Sequence, residues 1–170
     1  MVAALTMTVV SCGKGENANN DNKEEATNVA TNEEIAKDFT KYDGEHMTFS
    51  YPEGMKETIS TSSMMNAAND DGTVRLDATF NDGGTKADQL EGAGQAWVGM
   101  KKNEGFTPDE PKVEGNVLTL RSVKDDMVDM FFLVVGEGTN NISGSLKFPK
   151  AAEEEYAPKF KAMLSTITFK

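Results

Sequence analysis

The chain has 170 residues, with 17 Lys and Arg against 28 Asp and Glu, and a formal net charge of −11. This acid excess opposes encounter with nucleic acid and with anionic membrane surfaces. A single Cys excludes an internal disulfide framework and any multi-thiolate metal site, and a single His, His46, excludes sites built on paired imidazoles.

Residues 1–11 carry no charge and are too few to cross a bilayer as a helix, which takes about 20 apolar residues. They read as the apolar part of a secretory signal that lacks its positively charged start. Val9-Val10-Ser11-Cys12 resembles the lipobox of bacterial lipoproteins, in which the Cys becomes the lipidated first residue of the mature chain. Each buried CH₂ of the lipid then contributes about 0.8 kcal/mol, so several chains make a stable anchor. The competing reading, Cys12 as a small hydrophobe in an apolar N-terminal strand, fits poorly with the polar tract that follows at once.

Residues 12–34 are expected to be the lipidated Cys and an acidic tether. Lys14 and Lys23 face Glu16, Asp21, Glu24, Glu25, Glu33 and Glu34, with no aromatic residue and Val29 as the lone branched aliphatic. Such a stretch has too little to bury to offset its ordering entropy. Lys23-Glu24-Glu25 can be read as an export address, but charge runs usually serve solvation. Residues 35–170 form the expected single domain.

Thr31-Asn-Glu-Glu34 fits a capping box, and Ile35, Phe39 and Tyr42 extend one helical stripe towards Gly44. Met47, Phe49 and Tyr51 then alternate as a strand before Pro52, and Met55 to Met65 reads as one or two more. Val74, Leu76, Ala78 and Phe80 alternate with Thr73, Arg75, Asp77 and Thr79, a strand with one buried side. Thr85-Lys-Ala-Asp88 reads as a second capping box, opening a helix whose apolar face is Leu90, Ala93, Trp97 and Met100 and which ends near Gly105.

Val117 to Val123 is a strand, and Lys124-Asp125-Asp126 a tight turn. Met127 to Val135 is apolar on both sides except at Asp129, which predicts a central strand covered on both faces. Ile142, Gly144, Leu146 and Phe148 alternate up to Pro149, and a last helix lines up Ala152, Tyr156, Phe160, Met163 and Leu164. Residues 166–169 add a short final strand. Short turns between strands favour antiparallel pairing. The expected fold class is α+β: an antiparallel sheet with helices on both faces.

The ending, Gly144-Ser-Leu146-Lys-Phe148-Pro149 followed by Tyr156, Phe160 and Met163-Leu164-Ser165-Thr166-Ile167, resembles the PsbP-like superfamily. That group includes the photosystem extrinsic protein PsbP, the Ran-binding Mog proteins and bacterial DcrB-type lipoproteins. Phe49-Ser-Tyr51-Pro52-Glu-Gly54 is similar to their first strand and its turn. The resemblance covers about residues 46–170 and implies an α-β-α sandwich. It brings no catalytic residues with it, and a fold alone transfers no function.

The residues themselves offer little chemistry. With Cys12 spent on lipid, no thiol nucleophile remains, and His46 lacks a Gly-x-Ser-x-Gly elbow. Gly92-Ala-Gly94 and Gly13-Lys14-Gly15 lack the spacing of nucleotide-binding loops. Asp70-Asp71, Asp82 and Asp125-Asp126 suit hairpin turns better than a Ca²⁺ loop. Met47, Met55, Met64 and Met65 suit core filling better than copper capture. No catalytic residue, metal site or cofactor is therefore assigned.

Arg75, Asp77 and Trp97 are the candidate ligand contacts, the first two as neighbours on the polar side of one strand. The leading expectation is a non-enzymatic lipoprotein of the bacterial cell envelope that binds or assists a protein partner through an exposed apolar patch, including Phe106 or residues 62–65. The alternative is a small-ligand binder, for a glycan, lipid or cation, with a pocket between sheet and helix near Trp97.

Overall fold

The computed structural model describes residues 31–170, so the expected signal segment, Cys12 and the expected tether up to Ala30 lie outside the described residues. The capping box at Thr31 forms: Glu34 N donates to Thr31 Oγ1 (3.3 Å) and Thr31 N donates to Glu34 Oε2 (2.9 Å). The helix it opens, α1 (Asn32–Ala36), is only five residues long. The chain then turns into β1 (Thr40–Asp43), antiparallel to β2 (Met47–Tyr51). The helical stripe expected through Phe39 and Tyr42 is thus broken. A single turn of helix is costly to extend, whereas Thr40 and Tyr42 favour a strand. In that strand Tyr42 is buried, and its hydroxyl donates to Thr61 O at 2.9 Å.

Two antiparallel sheets follow. The larger comprises β3 (Lys56–Ser60), β4 (Met64–Ala68), β5 (Arg75–Asn81), β6 (Thr107–Pro108), β7 (Lys112–Glu114), β8 (Val117–Lys124), β9 (Met127–Val135) and β10 (Asn141–Pro149). Its spatial order is β3-β4-β5-β10-β9-β8-β6, with β7 also pairing β8. The smaller sheet is β1-β2-β11, with β11 spanning Thr168–Phe169. The expected single sheet is therefore divided in two. β6 and β7 carry no alternating apolar pattern and pair only with the β8 edge.

One face of the large sheet carries Met65, Leu76, Ala78, Val128, Phe132, Val134, Ile142, Leu146 and Phe148, all buried. Phe160 and Met163 of α3 (Glu153–Leu164) and Tyr42, Met47, Phe49 and Tyr51 of the small sheet close over them. The opposite face carries Leu118, Leu120, Phe131, Leu133 and Val135, packed under α2 (Leu90–Asn103). Helices thus cover both faces of an antiparallel sheet, and the architecture is α+β. Met127–Val135 does lie between two partners, β10 and β8, as its two apolar sides predict.

The approach to α2 differs from the expected capping box at Thr85. A short 3₁₀ turn, Ala87–Gln89, precedes the helix, and the Lys86 amide donates to Gln89 Oε1 at 3.1 Å. At the other end, Gly105 N donates to Lys102 O (3.0 Å) and Phe106 N to Lys101 O (2.9 Å), with Gly105 at φ +84°. This paired closure satisfies two otherwise orphaned carbonyls and needs the left-handed conformation that glycine supplies. The inward face is Leu90, Gly94, Trp97 and Lys101, while Met100 is exposed. At Gly94 α2 packs closely on its surroundings, since a Cβ there would stand 2.8 Å from Pro111 Cβ and 3.1 Å from Leu118 Cδ1 of β8.

Candidate functional site

Helix α2 covers only the β8–β9 side of its face of the sheet. The rest of that face, over β10, β5, β4 and β3, is a polar shelf. The ladder places its residues in rows. One row reads Ile59–Asn66–Asp77–Ser145–Phe131–Leu120, and the next reads Lys56–Ala68–Arg75–Lys147–Asp129–Ser122. Arg75 is exposed, and Asn66, Asp77 and Lys147 are half-buried.

The three sequence-predicted contacts share this face without forming one pocket. Asp77 is two strands from Phe131, roughly 10 Å. Phe131 is the residue on which Trp97 stacks, with ring centroids 3.8 Å apart and planes 26° apart. Arg75 lies in the adjacent row. A hollow of about 400 Å³ on the shelf is lined by Thr58, Asn66, Ala68, Arg75, Asp77 and Lys147, together with Gly72 and buried neighbours. Trp97 is not among its lining residues, so the expected pocket at the indole is displaced towards β4 and β5. The indole instead roofs the Leu118–Phe131 core.

Sequence reasoning missed Asn66, Ser145 and Lys147. The alternation of residues 142–148 already puts Ser143, Ser145 and Lys147 on the side opposite Ile142 and Leu146. What was missing was the pairing of β10 with β5 across more than 60 residues. In the fold, Ser145 Oγ donates to Asp77 Oδ1 at 2.9 Å, and Arg75 Nε donates to Gly72 O at 2.8 Å.

Where the shelf meets α2 there is a buried charge. Asp129, with its side chain 1% exposed, accepts from Lys101 Nζ at 2.9 Å, and Lys147 Nζ stands 4.0 Å from the same oxygen. Burial of Lys101 works against its charged form, but hydrogen bonds and charge from Asp129 and then Glu104 outweigh it, and its pKa is raised. The other oxygen, Asp129 Oδ1, has no partner among the described residues. Phe106, expected as part of an exposed patch, instead packs beneath Lys101 and Lys124, 4.8 Å and 5.5 Å from the two ammonium nitrogens. Met64, of residues 62–65, is exposed, while Met65 is fully buried.

The other face has a groove of about 530 Å³ beside α3, floored by Val117, Met130, Ala157, Phe160 and Leu164, with Asn32 also on its lining. Arg121 spans it. Its Nε and Nη2 donate to the two carboxylate oxygens of Glu153 at 2.5 and 2.9 Å, and Nη1 donates to Asp109 at 3.1 Å. The paired guanidinium holds the Glu153 carboxyl below its usual range and raises the Arg121 pKa in turn. With its donors engaged in this way, Arg121 ties β8 to α3.

The remaining candidates settle into structural roles. His46 stacks on Phe80 at 4.7 Å. Asp71 Oδ1 accepts from Thr73 Oγ1 (2.6 Å) and Thr73 N (3.0 Å), which lowers its pKa. Met47, Met55 and Met65 are buried in the larger core. Among the described residues no three His, Cys, Asp or Glu side chains gather to hold a metal ion, and no helix is long and apolar enough to cross a membrane.

No family model and no curated protein matches the chain. Solved structures do. The solution structure of cyanobacterial PsbP from Synechocystis sp. PCC 6803 aligns with a TM-score of 0.57 at 12% identity, over 78% of this chain and 92% of that one. The Saccharomyces cerevisiae Ran-binding protein Mog1p aligns with a TM-score of 0.50 at 13% identity, over 76% of this chain and 95% of its own. A mutant of protein Mog1 gives 0.51 at 12%, over 76% and 95%. The domain shares the fold of PsbP and Mog1, and likeness at this identity speaks to the fold alone.

Proposed function

We propose that this chain is a non-enzymatic binding protein of the bacterial cell envelope, anchored by lipid at Cys12, that receives a protein partner on the open half of its larger sheet. One observation carries the reading: half of a sheet face is left without a covering helix. Ile59 (48% exposed) and Met64 (37% exposed) stand there beside the Arg75, Asp77 and Lys147 rows. An apolar margin next to fixed polar groups is the composition of a recognition surface. The yeast protein of this fold is a Ran-binding protein, so the fold serves a protein partner in that case. The lipobox-like Val9-Val10-Ser11-Cys12 supports the anchor. The hollow of about 400 Å³ favours a second reading, a small-ligand binder on the same shelf.

The test is photo-crosslinking in intact cells, with p-benzoylphenylalanine at Ile59 or Met64 and, as control, at Gly99 on the outer side of α2. A discrete protein adduct from the shelf positions, absent from Gly99 and lost in Cys12→Ser, supports the reading. Equal adduct patterns from all three positions sink it. Radioactive palmitate labelling that persists in Cys12→Ser removes the anchor.

A further inference from the structure

We infer that the open shelf recognises its partner through a carboxylate, presented by an acidic segment of a protein and seated between Arg75 and Lys147. The inference rests on the shelf being the docking face and names the chemistry of what docks there.

The argument begins with register. Arg75 on β5 and Lys147 on β10 are direct cross-strand neighbours on the same face. Like charges in that relation destabilise a sheet, and a local conflict of this kind marks a functional position when nothing nearby relieves it. Relief is poor here. Lys147's neighbour on its other side, Asp129, is committed to Lys101 at 2.9 Å and lies 4.0 Å from Lys147. Arg75 forms no ion pair with any described carboxylate, in a chain where acids outnumber bases 28 to 17.

The donors are also arranged for an anion. Gly72 O holds Arg75 through Nε at 2.8 Å, which fixes the guanidinium while Nη1 and Nη2 have no acceptor among the described residues. Lys147 Nζ has no hydrogen-bond acceptor there either. A fork of two N–H groups beside an ammonium suits the two oxygens of a carboxylate, and both side chains line the hollow together with Asn66. Asp77, two residues from Arg75 and held by Ser145, bounds the seat with negative charge. It therefore disfavours a second anion one row away and favours a donor at that place on the partner.

An anionic lipid surface fits less well. Basic residues near such a surface contribute only about 1 kcal/mol each. An extended anionic plane meets the net charge of −11 of the whole chain, whereas a short acidic segment meets chiefly the groups within a Debye length of the two bases.

The test uses the full chain carrying Cys12→Ser, titrated in an NMR tube with an acetylated tetraglutamate amide. The neutral tetraglutamine peptide, inorganic phosphate, and phosphatidylglycerol and phosphatidylcholine vesicles are run alongside. Tetraglutamate is expected to shift the Arg75 side-chain N–H and the Asn66, Arg75 and Lys147 amides saturably, and tetraglutamine to leave them in place. Arg75→Gln with Lys147→Gln should weaken the peptide by about tenfold, as expected for losing charge-assisted hydrogen bonds, and each single variant by less. A dispersed spectrum shows that the variants fold.

No saturable shift, or equal affinity in the double variant, overturns the inference. Tighter binding by phosphate, or binding by phosphatidylglycerol vesicles alone, replaces the acidic peptide with a free phosphate or a lipid headgroup and overturns it too. If Ile59 cross-links to a partner while tetraglutamate fails, the carboxylate inference falls and the docking face stands. If tetraglutamate binds and the shelf positions give no adduct, the docking face falls.

Discussion

Lys101 on α2 and Asp129 on β9 meet at 2.9 Å, with side chains 9% and 1% exposed, and so pin the helix to its half of the sheet. The pair sits beside an otherwise apolar interface, and Glu104 Oε2 lies 3.1 Å from the same ammonium. Without Asp129 the buried ammonium keeps only the half-exposed Glu104 as a partner. Asp129→Ala is expected to cost about 3–5 kcal/mol, whereas Lys101→Met combined with Asp129→Leu is near neutral or stabilising. Urea denaturation of the three proteins checks this, and equal losses in single and double variants would refute it.

The same pair predicts a response to alkali. The folded pKa of Lys101 is raised, so its contribution is fully present below the unfolded value, about pH 10.4. The contribution is lost as the pH climbs from there through the higher folded value. The urea midpoint should fall above that pH in the wild type and stay flatter in the double variant.

Glu153 predicts the opposite end of the scale. Its carboxyl is held low by Arg121, so its contribution is present above the unfolded value, about pH 4.3, and disappears as the pH falls through the lower folded value. Glu153→Gln should cost about 1–2 kcal/mol at neutral pH. It should also lose less than the wild type between neutral pH and the acid limb of the denaturation profile.

Trp97 is the chain's only tryptophan, and its stack on Phe131 makes its fluorescence a direct report on the seating of α2. Trp97→Ala is expected to cost about 3 kcal/mol. In Asp129→Ala the emission should move to the red under native conditions. Unchanged emission would mean that α2 stays seated without the ion pair.

Gly144 makes a prediction of close approach. A Cβ at this position would stand 1.9 Å from the Asp77 carbonyl oxygen, a backbone atom with no room to yield. Gly144→Ala should therefore cost about 3 kcal/mol or more. At Gly92 a Cβ meets nothing within 4 Å, and Gly92→Ala, inside a helix, should stabilise by about 0.5–1 kcal/mol. Thermal melts of the two variants should move in opposite directions.

The long strands were legible because their burial alternates. Met47, Phe49 and Tyr51 are buried with half-buried residues between them, and Val74, Leu76 and Ala78 repeat the pattern. Asp129 stood out as the lone polar residue of an apolar strand, but its partner did not, because Lys101 looks like the exposed neighbour of Met100 on an amphipathic helix. In the fold Gly94 and Trp97 face the sheet and Lys101 turns inward with them, a rotation that the sequence spacing of the helix does not show. β1 was read as helix because Ile35, Phe39 and Tyr42 fall at helical spacing, while a four-residue strand with one buried side chain shows no alternation, and β6 and β7 are too short to carry a period. The shelf was half visible: Arg75 and Asp77 share a strand side by simple alternation, whereas the Arg75–Lys147 neighbourhood depends on pairing between distant segments.

Thr31 enters the fold at α1, which packs against α3 on the side of the large sheet that carries Phe160 and Met163. Arg75 and Lys147 face the other way. On the proposed anchoring at Cys12, the chain would lead into the domain from the α3 side, with the sheet between that entry point and the shelf. Under that proposal the place where the chain enters the fold gives the domain a polarity, with its uncovered side opposite the attachment.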